Sequence, residues 1–154
     1  MLFRSLIQPD GFTISKDAER IHGISTSIAK KSGVPVAEAL NGFAQILLQS
    51  TVLVGHNLKF DTDVLGAEFH RLRMGDPFRR KKHCCTMLAT TEFCALPGRY
   101  DDYKWPTLPE LHSKLFGKRV KETHDAAADV ATCSKCFFEL KRRGVVQIAI
   151  GRGA

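Results

Sequence analysis

Two short segments hold residues whose types and spacing suit chemistry: Val54-Gly-His-Asn57-Leu-Lys-Phe60-Asp61 and Thr123-His124-Asp-Ala-Ala-Ala-Asp129. Together they supply a carboxylate pair and a histidine, the parts of a metal-assisted hydrolysis. Carboxylates hold a divalent cation, and an imidazole with an unperturbed pKa of about 6.5 accepts a proton from water near neutral pH. If Asn57 caps a helix, Asp61 lies one turn on and shares its face at the end of the preceding strand. His124 and Asp129 are five residues apart, so on one continuous helix they would diverge by about 140° at 100° per residue. They converge only if His124 stands just before the helix, with Asp125 as its cap and Asp129 one turn inside. Either segment alone also fits a bland reading, a capped surface helix with a solvated Asp or an exposed helix start. The combination carries the argument. Such a cation site needs further carboxylates, and no apolar strand supplying them precedes these segments.

The elements that must position these residues follow from periodicity. Leu2 to Gln8 reads as a short apolar strand ended by the turn signal Pro9-Asp10-Gly11. Lys16 to Ile24 reads as an irregular segment ending in Ile21-His22-Gly-Ile24. Val36, Leu40, Phe43 and Leu47 recur at helical spacing over Val36 to Leu48, and Pro35 fits that helix's first turn. Thr51-Val-Leu-Val54 is a β-branched run consistent with a buried strand. Further helices are expected from Leu58 to about Arg73, from Thr107 through Leu115 up to Gly117, and from about Asp125 to Arg143, where Lys141-Arg-Arg-Gly144 suits a helix end. Cys84 to Leu88 reads as another strand. This alternation implies an α/β sandwich with helices covering a mostly parallel sheet.

Composition bounds the possibilities. The chain has 154 residues with 44% hydrophobic content, enough for one globular domain. A net charge of +7 favours anionic partners, nucleic acid the commonest among them. No apolar run approaches membrane-spanning length and no signal peptide is evident, which suggests a cytoplasmic protein with no membrane partner. The odd count of five cysteines argues for reduced, packing thiols rather than a disulfide framework.

Taken together, Gly55-His-Asn57-Leu-Lys-Phe60-Asp61 and His124-Asp-Ala-Ala-Ala-Asp129 resemble the second and third motifs of the DnaQ-like 3′–5′ exonucleases of the DEDDh type, which include the proofreading subunit of bacterial replicative polymerase. Leu6-Ile-Gln-Pro9 with Ile21-His-Gly-Ile24-Ser resembles that family's third strand and following loop, and Trp105-Pro-Thr-Leu108 the segment that introduces the third motif. The resemblance covers nearly the whole chain. It implies an RNase H-like fold with a mixed central sheet flanked by helices, hydrolysing phosphodiesters one nucleotide at a time from the 3′ end of single-stranded nucleic acid. DNA is the first expectation, with RNA open. It also implies a two-metal site of Mg2+ or Mn2+, with Asp61 and Asp129 as metal-site carboxylates and His124 as general base. Asn57, Phe60 and His22 would bind substrate, and a DNA polymerase or a second copy would be the protein partner.

The family's first motif, an Asp-x-Glu on the first strand, has no counterpart here. Asp17-Ala-Glu19 lies in the polar stretch before Ile21-His-Gly-Ile24 and does not replace it. The expectation is therefore a single, N-terminally truncated exonuclease-like domain over residues 1–154 that lacks its first two strands, with the strand at Thr51 to Val54 short of a neighbour. Its metal site would be incomplete and its activity impaired. A noncatalytic nucleic-acid-binding remnant of the same fold is the alternative.

Other features suggest less. Arg79-Arg-Lys-Lys82 reads as a solvated turn that could contact phosphates, and Asp101-Asp102 as an exposed loop. Cys133-Ser-Lys-Cys136, with Cys84-Cys85, has zinc-like spacing, but Cys133 and Cys136 fall on a helix's core side. That placement argues against zinc, and a zinc-stabilised interaction module stays open on the spacing alone. Phe69, Phe137 and Phe138 are expected to fill the core.

Overall fold

The β-branched Val52 and Val54 favour one strand of a small parallel sheet. In the computed structural model, which describes residues 4–100, 102–118, 120 and 125–148, β1 (Val52–Gly55) pairs with β2 (Lys82–Cys85). Val52 stands opposite Lys82, and Gly55 opposite Cys85. Ahead of the sheet lie α1 (Lys16–His22), α2 (Thr26–Ser32) and α3 (Val36–Leu48); α4 (Leu58–Arg71) connects the strands. After β2 come two four-residue helices, α5 (Thr86–Ala89) and α6 (Thr91–Cys94), then α7 (Leu108–Phe116) and α8 (Ala126–Arg142). Among the described residues no helix is long and apolar enough to cross a membrane.

Alternation along β1 divides the core. Successive strand side chains point to opposite faces. Val52 and Val54 pack against a cluster built from α7 and α8, with Leu111, Leu115, Cys136, Phe137 and Leu140 buried at its centre. Leu53 packs the other way, against Leu40, Leu47, Phe69 and Phe78. The rings of Phe43, Phe69 and Phe78 stand 6.1 to 6.4 Å apart in this second cluster, in tilted and edge-on arrangements. The architecture is thus mixed α/β, a parallel pair of strands with helices on both faces, as the sequence pattern implies.

Several expected elements differ. Over residues 4–8 the expected first strand is reduced to a single parallel bridge, Ile7 to Val34. Gln8 N–H donates to Val34 O (2.9 Å), and Val34 N–H to Leu6 O (2.8 Å). Extending this parallel ladder would need the N–H groups of Asp10 and Val36, but Val36 already opens α3, and Ser32 still belongs to α2 on the other side. Gly33 permits the close approach, since a Cβ there would fall 2.9 Å from Gln8 N.

The segment read as irregular folds as α1. Ser15 Oγ accepts from Ala18 N–H (3.2 Å), and Gly23 ends the helix at φ 72°. It buries no residue, so apolar periodicity could not reveal it. α2 is capped in the same way, by Ser25 Oγ on Ile28 N–H (3.1 Å).

α3 has the expected limits, with Pro35 at its N-cap rather than in its first turn. The strand expected over Cys84 to Leu88 runs earlier, over Lys82–Cys85, and gives way to α5 at Thr86. α7 carries a full capping box between Thr107 and Glu110 with Gly117 as its left-handed end. Phe69 and Phe137 fill the core as expected, whereas Phe138 is 64% exposed.

Candidate functional site

The turn that closes β1 is built by Gly55, His56 and Asn57. A Cβ at Gly55 would sit 2.9 Å from Leu58 Cδ1, so a larger residue there would have to displace the Leu58 side chain at the start of α4. Asn57 takes a left-handed conformation, φ 64° and ψ 42°, which Asn tolerates better than most residues. It stands at the N-cap position, but its side chain makes no capping bond. The expected capping role of Asn57 is therefore corrected: normal caps use extended backbone angles that aim the side chain at the helix N–H groups, and the left-handed turn removes that aim. The side chain is free for the groove that Asn57 lines.

His56 ties three elements together. Its Nε2 lies 2.9 Å from the carbonyl of Pro106, just ahead of α7, and its Nδ1 lies 3.0 Å from Thr86 Oγ1, at the end of β2. A carbonyl only accepts, so Nε2 carries a proton. Burial lowers the His56 pKa, against the raising effect of the Pro106 carbonyl. The ring is then neutral near pH 7, and Nδ1 accepts the Thr86 hydroxyl proton. Thr86 Oγ1 is also 3.1 Å from Gly55 O. If His56 were protonated, the Thr86 hydroxyl could turn to Gly55 while accepting from Nδ1.

Asp61 lies in the first turn of α4 and Asp129 in the first turn of α8. As expected, Asp125 caps α8, its Oδ1 accepting from Ala128 N–H (3.0 Å); its other oxygen pairs with Arg4 at 2.9 Å. An open groove of about 1400 Å3 beside β1 gathers His22, Asn57, Asp61 and Asp129. Partial burial of its carboxyl raises the Asp61 pKa above the ordinary range although the residue is exposed overall. Thr107 and Ala126 bring the N-termini of α7 and α8 to the same groove as that of α4. Asp61 and Asp129 each stand in the first turn of their own helix, near its positive end.

Four of the six expected site residues therefore share one groove. Phe60 does not line it; it is 63% exposed beside Asp61. His124 lies outside the described residues, as does Asp101. Among the described residues no group of three or more His, Cys, Asp or Glu is placed to hold a metal ion. Asp61 and Asp129 are hard oxygen donors of the kind Mg2+ and Mn2+ take, and as a pair they make a partial donor set.

The cysteines are free, and Cys84, Cys94, Cys133 and Cys136 are buried. Burial raises all four thiols, Cys136 up to about 12, which disfavours the thiolates that zinc requires. Of the basic run, Arg79 and Arg80 are exposed as expected, while Lys81 Nζ binds Ser50 O (2.7 Å) just ahead of β1.

Sequence reasoning missed His56, Thr86 and Trp105. A histidine flanked by Gly55 and Asn57 at a strand end was the one available signal for the first of these.

No curated protein matches the chain. A family model described as RNase T, exonuclease, matches residues 2–137 and so spans both motif segments. The chain therefore belongs to the RNase T exonuclease family.

Proposed function

We propose that this nuclease-family domain is a 3′–5′ exonuclease of RNase H-like type acting on single-stranded nucleic acid. The observation that carries the reading is the convergence of Asp61 and Asp129, from the first turns of two different helices, on one groove with Asn57 and His22 at hand. Asp61 and Asp129 would hold divalent cations, which when bound supply an activated water and stabilise the leaving oxygen. Asn57 and His22 orient the terminal nucleotide, and the left-handed turn at Asn57 presents its amide to the groove. Helix N-termini around the groove favour the phosphate. His124 is the general base on the sequence motif alone.

A noncatalytic single-strand binder is the second reading, since Asp61 and Asp129 are the carboxylates that the groove gathers among the described residues. A 5′-labelled oligonucleotide incubated with Mg2+ or Mn2+ separates the two. The exonuclease reading expects slow shortening by single nucleotides from the 3′ end, lost in Asp129→Asn. Binding without any shortening, at any protein concentration, favours the binder.

A further inference from the structure

The chain's single tryptophan stands at the groove, on a mount that holds it there. Trp105 is 62% exposed and lines the same groove as Asp61 and Asp129. The backbone on either side is pinned. Lys104 N–H donates to Leu96 O (3.0 Å), and Lys104 Nζ reaches Glu110 Oε1 (2.6 Å). Pro106 is fully buried and its carbonyl meets His56 Nε2, while Thr107 opens the capping box of α7.

A large apolar ring gains from leaving water, yet these bonds fix Trp105 where most of it stays wet. The ring is thus arranged to be covered by something flat. A nucleobase has the matching π-face, and base stacking on exposed aromatics tolerates any base. Phosphate and sugar have no such face. Bases within a duplex are already stacked and paired.

We propose that Trp105 is a stacking subsite for an unpaired nucleobase of a single-stranded nucleic acid, seated beside the Asp61 and Asp129 groove. The proposal rests on the nuclease reading and names what gives it single-strand preference. His56 acts here as a positioning residue, fixing the peptide carbonyl next to the ring.

The test uses the full chain in EDTA, so that no cleavage intervenes, with a short fluorescein-labelled oligothymidylate and an abasic oligomer of equal length. Labelled-strand anisotropy reads binding, and intrinsic emission reads the ring at position 105 alone. Saturable quenching by oligothymidylate is expected, with little from the abasic strand. Trp105→Ala should weaken oligothymidylate binding by about 5- to 100-fold and leave abasic binding unchanged, while Trp105→Phe retains most of the affinity. Oligothymidylate binding with unaltered tryptophan emission and an unaffected Trp105→Ala overturns the subsite and leaves the nuclease reading standing. Absence of binding by either strand overturns both.

Discussion

Asp61 and Asp129 occupy the same helical position, four residues past the N-cap residues Asn57 and Asp125, on two helices that open onto one groove. Chain segments far apart in sequence deliver the carboxylates by the same local device. The first-turn position keeps each side chain near the positive end of its helix. Burial works against that effect at Asp61.

Asp61 is therefore expected to hold its charge at the expense of stability. Its pKa is raised by burial, so the folded chain binds this proton more tightly than the unfolded chain. The associated stability is present at low pH and is lost as the pH rises through the folded pKa. Asp61→Asn should raise Tm at pH 7 by on the order of 1 °C, and the gap should close as the pH is lowered into the carboxylate range. Thermal melts of both proteins across pH measure this, and a variant that melts below wild type at pH 7 contradicts it.

His56 should act in the opposite direction on acidification. Its folded pKa lies below the ordinary histidine value of 6.5, so the unfolded chain takes up a proton that the folded chain resists. The stability it contributes is complete above that pH and declines as the pH falls through it. His56→Ala removes both ring bonds and leaves the buried Pro106 carbonyl without its partner, while the Thr86 hydroxyl keeps Gly55 O, a loss of about 2 kcal/mol at pH 7. Urea titrations at neutral and mildly acidic pH should show the difference shrinking on the acid side. A constant difference would rule out this coupling.

The buried thiols should be inert in the folded chain. Cys136 is held up to about 12 by burial, and Cys84, Cys94 and Cys133 are raised by the same cause. Reaction with a chromogenic disulfide at mildly alkaline pH should label half-buried Cys85 ahead of these four, which react once denaturant is added. Chelator should leave Tm unchanged. Stoichiometric zinc with unfolding on chelation would instead establish the zinc-stabilised interaction module.

The capping box of α7 offers a local check on what positions Trp105. Thr107 Oγ1 accepts from Glu110 N–H (3.3 Å), and Glu110 Oε2 accepts from Thr107 N–H (2.8 Å). Thr107→Ala is expected to cost about 1 kcal/mol and to broaden the tryptophan emission response to nucleic acid. Unchanged chemical denaturation would show that the lead-in is held without the box.

Strong periodicity made α3 legible to its limits, and the Asp125 cap made the start of α8 legible, because burial and capping leave signatures within a few residues. α1 escaped notice because it buries nothing. The strand expected near Leu6 failed because strand pairing depends on a partner, and the partner segment at Val34 is confined between α2 and α3. Asp61 and Asp129 were legible as candidates because both are carboxylates near helix starts that the sequence marks, and the groove lining includes them both. His56 and Trp105 were missed because their roles arise from contacts across 50 residues and from exposure on a pinned segment, which spacing does not encode. Phe138 and Phe137 adjoin in sequence on α8, yet only Phe137 turns inward.

The most direct test of the central claim is Mn2+ titration, read by electron paramagnetic resonance, of wild type, Asp61→Asn, Asp129→Asn and the double variant. If the two carboxylates serve one cation site, wild type binds Mn2+ weakly and either single substitution removes as much binding as the pair. Undiminished binding in either single variant, or losses that simply add, would contradict a shared site.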